Sequence, residues 1–341
     1  MSAQANRRLA WPRLILSTLA LCILVAVSAS ARAQQAAIVD PDASVVNEQT
    51  LLREFPRIQG DIDQLDPRAR VLIQPEGRVW DHFHEVTLHW LGAIIILGTI
   101  AGLAGAYFLL GRIRISKGRS GRKVPRFSAF ERFVHWLTAA SFVVLAISGL
   151  NVTFGKLVLM PLIGPDAFSA FAQAAKYAHD FTSFPFMLGI ALITVIWIKD
   201  NIPSRIDVAW LRQGGGFIAS KHAPAGRFNA GEKLVFWGAL AAGAGVSASG
   251  LLLLFPFYVT DILGMQIAQV VHSIIAILFV ALILAHIYIG TLGMEGAFEA
   301  MGRGSVDFNW AQEHHDIWLE DLIAKDRPAS AGQSSLATPA E

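Results

Sequence analysis

Two histidines, His272 and His286, sit in the apolar run VVHSIIAILFVALILAHIYIG (270–290), where Tyr288 is the only other ionisable residue. An ionisable side chain in hydrocarbon is costly, so it faces a cavity, a partner or a ligand. Fourteen helical steps of about 100° fall only about 40° short of four turns, so both rings share one face. They lie roughly 21 Å apart along the axis, one toward each side of a bilayer core of about 30 Å. Two imidazoles placed this way suggest two bound groups, one above the other.

The elements that must position them follow from composition. The chain has 341 residues, 54% hydrophobic and only 16% charged, with a mean hydropathy of +0.48. Soluble domains carry about 25% charged residues, so this is an all-α integral membrane protein. Apolar runs at 86–110, 132–154, 181–199, 233–254 and 270–292 are each long enough to span. Residues 1–33 hold basic residues, a hydrophobic stretch and Ala31-Arg32-Ala33, which together read as a secretory signal. An uncleaved anchor is the alternative, because the apolar run is long. The single cysteine, Cys22, lies in that run. Cleavage would leave no thiol for iron–sulfur ligation, covalent haem attachment or a disulfide.

Lysine and arginine crowd the connections 111–131 and 199–233 and are nearly absent from the other two. The positive-inside rule puts those basic connections in the cytoplasm and the acidic segment 34–85 outside, as a secretory signal requires. The domain reading is a signal peptide (1–33), an exported segment (34–85), an extra transmembrane helix (86–110) and a basic cytoplasmic loop (111–131). A four-helix domain (132–294) and a cytoplasmic tail (295–341) follow, the tail's polar end reading as disordered.

Topology gives each histidine a depth. His135 lies about one turn into a helix that starts inside, and His179 lies at or just before the start of one that begins outside. Depth therefore pairs His135 with His286 and His179 with His272. Zinc wants three or four ligands, often including a carboxylate or thiolate, and none stands at membrane depth. Haem iron needs two axial ligands, and two trans imidazoles suit electron transfer. Small residues nearby (Ala139, Ala140, Gly149, Gly189, Ala276, Gly290) would admit a flat macrocycle, although they also mark ordinary helix packing. On this arithmetic three readings stand: two haems, a proton-relay transporter, or histidines satisfied structurally.

The motifs ERFVHWLTAASFVVLAISG, WIKDNIPSRIDVAWL, RFNAGEKLVFW, the 270–290 run and EHHDIWLED occur in order over 126–322. Together they resemble the gamma subunit of respiratory formate dehydrogenase, a dihaem cytochrome b membrane anchor. The resemblance implies a four-helix transmembrane bundle with two haems b, ligated by His135/His286 and His179/His272. It implies an iron–sulfur beta subunit and a molybdenum or tungsten catalytic alpha subunit as partners, with menaquinone or ubiquinone as acceptor. It places the chain in a bacterial inner membrane, with no formate chemistry of its own and no nucleic-acid partner. The quinone pocket would involve Asn229, Gly231, Glu232 and His286. By type, Asn229 is also an ordinary helix cap, and Glu232 suits a helix N-terminus. An anchor of a hydrogenase or of a thiosulfate or polysulfide reductase would share this chemistry.

Several residues stay outside that scheme. His82, His84, Glu85 and His89 precede helix 86–110 and suggest either a metal site or, with Trp80 and Trp90, an interfacial belt. His222 reads as a loop residue. His314 and His315 have no assigned role. Arg126, Arg132 and Lys199 lie near the inner surface, where propionate pairing and headgroup contact are both open.

Overall fold

The structure is a computed structural model that describes residues 77–215 and 223–326. The signal segment with Cys22, residues 34–76, His222 and the polar end beyond 326 lie outside the described residues.

Five helices are long and apolar enough to cross a membrane: Val79–Leu110, Ala129–Val158, Pro165–Trp197, Ala230–Leu254 and Ile262–Gly293. The first consists of α1 (Gly77–His82), a π-helical turn (Phe83–Thr87) and α2 (Leu88–Leu110). Then follow β1 (Lys123–Pro125), α3 (Ala129–Val158), the short α4 (Met160–Ile163), α5 (Pro165–Trp197) and α6 (Arg205–Arg212). After these come α7 (Ala230–Leu254) and α8 (Ile262–Tyr288), which runs on into a π turn (Ile289–Gly293). The chain then forms α9 (Ala297–Arg303), β2 (Ser305–Asp307), α10 (Phe308–His314) and α11 (Asp316–Asp326).

The helix starts are written in short polar residues. Ser128 opens α3 and Asn229 opens α7, each in a reciprocal capping box with the residue three positions on, Glu131 and Glu232. Asp261 accepts from the Gly264 N–H and opens α8. Pro165, after Gly164 at φ +82°, opens α5. Here the structure departs from the hydropathy reading, which starts this helix at 181. Residues 165–180 are alanine-rich helix formers interrupted by polar groups, so they fold as helix without looking apolar. His179 consequently lies in the interior of α5 rather than at its start.

α3 packs along α5, α7 along α8, α5 against α7, and α2 against α8. Close approach uses glycine: a Cβ on Gly238 or Gly245 would stand 2.7 Å from Leu282 or Ile275 of α8. Without a hydrophobic force between helices in lipid, such contact is what holds them together. The outward faces are apolar, with Val195 76% and Leu234 65% exposed.

Residues 295–326 do not trail away as a tail. β2 pairs antiparallel with β1, Val124 opposite Val306. α10 and α11 lay Trp310, Ala311 and Leu319 into a core with Phe127, Trp197, Phe228 and Phe236. The ends of α5 and α7 are thereby covered by a folded cap.

Candidate functional site

Three helices bring the four histidines together in two pairs, α8 supplying one member of each. His135 of α3 faces His286 of α8, with ring centroids 6.2 Å apart and planes at 60°. His179 of α5 faces His272 of α8, with centroids again 6.2 Å apart and planes at 64°. These are the pairings that depth arithmetic gives.

The spacing tests what the pairs can hold. A metal–imidazole bond is about 2.0 Å and the ring centroid lies about 1.1 Å beyond the nitrogen, so two trans imidazoles on one metal stand about 6.2 Å apart. Both pairs meet that value. Among the described residues no three His, Cys, Asp or Glu side chains gather as a metal site. A centre that brings its own equatorial ligands, as haem does, fits two imidazoles alone.

Around the His179/His272 pair the hydrogen bonding fixes which ring nitrogen is free. The Ser148 hydroxyl donates to the Val144 carbonyl at 2.7 Å and stands 2.9 Å from His179 Nδ1. The Ser249 hydroxyl donates to the Gly245 carbonyl at 2.7 Å and stands 3.1 Å from His272 Nδ1. Each hydroxyl proton is spent on a carbonyl, so each serine oxygen accepts from Nδ1–H and leaves Nε2 unprotonated and free to ligate. The following glycines give the rings room. A Cβ on Gly149 would meet His179 Cε1 at 3.6 Å, and one on Gly250 would meet His272 Cε1 at 3.2 Å. Sequence reasoning missed both serines. The signal was the repeated tripeptide Ser-Gly-Leu at 148–150 and 249–251.

The His135/His286 pair differs. His135 Nδ1 is buried and has no hydrogen-bond partner among the described residues. Trp136 beside it donates its indole N–H to the Met301 carbonyl at 3.1 Å, tying α3 to the cap.

The loop before α7 is clamped. The Asn229 side chain accepts from the Glu232 N–H, and the Glu232 carboxylate accepts from the Asn229 N–H, each at 2.9 Å. Arg126 Nη2 donates to Glu232 at 3.1 Å and to the Arg227 carbonyl at 3.0 Å. It also lies 3.0 Å from His315 Nε2. His315 is fully buried, and its Nδ1 lies 2.9 Å from the Gly226 carbonyl. Nδ1 therefore donates, Nε2 accepts from Arg126, and the ring is neutral. Burial, and then the Arg126 charge, push His315 well below the usual histidine range. Asn229 and Glu232 thus gather with Arg126 and His315, whereas His286 stands against His135.

The remaining residues of interest have other partners. Arg132 donates to the Gly302 carbonyl at 3.2 Å. The basic loop is partly neutralised within the fold, since Arg119 and Lys123 both reach Glu299. His84 stacks on Trp80 and lies 3.2 Å from Glu85, while His89 Nδ1–H donates to the His84 carbonyl at 3.1 Å.

Over residues 126–304 the chain matches the family described as prokaryotic cytochrome b561. It is 28% identical over 203 residues to the formate dehydrogenase cytochrome b556(fdo) subunit of Escherichia coli (strain K12), covering 58% of this chain and 93% of that one. Its identity to the nitrate-inducible formate dehydrogenase cytochrome b556(Fdn) subunit of the same strain is 24% over 208 residues, 59% of this chain and 92% of that one. The formate dehydrogenase cytochrome b556 subunit of Haemophilus influenzae is 26% identical over 226 residues, 63% of this chain and 90% of that one.

Proposed function

This chain belongs to the prokaryotic cytochrome b561 family, and on that premise we propose that it is the cytochrome b membrane anchor of a respiratory formate dehydrogenase. In this reading it links an iron–sulfur partner on the exported side, itself docked to a molybdenum or tungsten catalytic subunit, to menaquinone or ubiquinone in the membrane. The names of the similar proteins support the partner class. The observation that carries the reading is the pair of facing histidine couples, each with ring centroids 6.2 Å apart.

Haem b held at each couple supplies reversible one-electron redox chemistry. The protein's own residues do the remainder. His135 with His286, and His179 with His272, are the residues that would hold it. Ser148 and Ser249 hold His179 and His272 by Nδ1, fixing ring orientation. Gly149 and Gly250 keep the neighbouring helix surfaces flat against those rings. Near the cytoplasmic end, Glu232 is the carboxylate that would take up a proton for quinone reduction, with Asn229 and Gly231 in the same turn of α7. Its carboxylate is held by Arg126 and the Asn229 N–H.

The test is haem stoichiometry by reduced-minus-oxidised and pyridine haemochrome spectra of the purified protein. The expected result is two haems b in the wild type and about one in each of His286→Ala and His272→Ala. Formate added with the copurified partners should reduce both. Folded wild type without haem would instead favour the proton-relay transporter.

A further inference from the structure

The two histidine couples have different hydrogen bonding, and that difference has an electronic consequence. At His179/His272 both rings are engaged through Nδ1 by a serine oxygen, at 2.9 and 3.1 Å. Both serines are buried, at 4% and 5% exposure, and both direct their own protons to a carbonyl one turn back. Neither oxygen can switch to donating without giving up that bond. At His135/His286 the His135 Nδ1 is buried with no such acceptor among the described residues. An imidazole that donates from Nδ1 pushes electron density toward Nε2 and becomes a more basic ligand. A more basic axial ligand stabilises the higher charge on a metal and lowers its reduction potential.

We propose that Ser148 and Ser249 are positioning residues that make the His179/His272 site the lower-potential of the two, so that the fold itself gives single electrons a downhill direction toward His135/His286. The two serines come from different hairpins, α3 beside α5 and α7 beside α8, yet use the same Ser-Gly pair against the same ring atoms. Packing alone would need a small residue at these positions but no hydroxyl.

This inference rests on haem occupying both sites, so the experiment reads occupancy and potential separately. Full-length protein is titrated spectropotentiometrically as wild type, Ser148→Ala, Ser249→Ala, the double variant and Ser148→Thr/Ser249→Thr. Haem content is measured on each sample, and the ferric low-spin resonances are recorded. Two potentials are expected in the wild type. The lower should rise by about a tenfold shift in its one-electron equilibrium in the double variant, roughly 59 mV. The higher should stay in place, one ferric resonance should move, and the threonine variant should restore both. Should Ser148→Ala alone lose haem, Ser249→Ala decides, because it acts on the same site from the opposite ring. A wild type without haem overturns the occupancy reading and this inference together. Two haems whose potentials both move, or do not move, in the double variant overturn the inference alone. Loss of haem from both single variants does so as well, since the serines would then be scaffold.

Discussion

The membrane bundle and the cap beneath it solve opposite problems. The bundle has an apolar solvent, so its helices hold together by close contact, and at its centre four histidines face one another in two pairs. The cap is thick with charge, and it buries that charge by pairing it. Arg126, with its side chain 1% exposed, meets Glu232, and Arg227 joins Glu131 at 2.6 Å and Asp200 at 2.7 Å. Asp307 accepts from the N–H groups of Ser120, Gly121 and Asn309. The comparison teaches that the two regions can be broken independently: histidine changes should empty a site without opening the cap, and cap changes should do the reverse.

The largest effect is expected from Glu232→Ala, which leaves the Arg126 guanidinium buried without a carboxylate at a cost of about 3 kcal/mol. Limited proteolysis should then cut within 295–326, while haem content stays at the wild-type value. Asp307→Ala should weaken the cap by about 2 kcal/mol, since three backbone donors lose their acceptor. Hydrogen exchange at Ser120, Gly121 and Asn309 would report it. If either change removes haem as readily as His272→Ala, the two regions are not independent.

The cap alone should also be acid-labile. His315 is held neutral, so the unfolded chain binds a proton below about pH 6.5 that the folded cap refuses, and stability falls there. Burial pushes Asp307 up, but its bonds from Ser120, Asn309 and Gly121 outweigh burial and hold it below the usual carboxylate range. Its contribution is present above about pH 3.9 and is lost as pH falls through its folded value. Protease sensitivity measured from pH 8 to 4 should rise in the cap first. At the small end, the exposed pair Lys176–Asp180 should be worth about 0.4 kcal/mol, and Lys176→Ala should change neither readout measurably.

Much of this was legible in the chain itself. A histidine in an apolar run has few ways to be satisfied, so the pairing of the four histidines followed from spacing and depth. The start of α5 did not, because propensity rather than hydropathy builds residues 165–180. Ser148 and Ser249 were hidden for another reason. A serine bonded to the carbonyl four residues back is common in apolar helices, and only the facing ring gives it a second bond. Glu232 reads as a helix cap, and it is one; that Arg126 and His315 converge on it is not written near it.

The sequence by itself determined the membrane class, the number of spanning runs, the histidines and their partners, because hydrocarbon punishes every exception to apolarity. Only the tertiary structure decided the cap, the tautomers and the difference between the two couples. Those depend on partners far apart in the chain: the Ser116 N–H meets Glu313 across 197 residues, and Arg126 meets His315 across 189. Hydrogen bonds of a few ångströms are set by how helices dock, and no local pattern in the chain encodes docking.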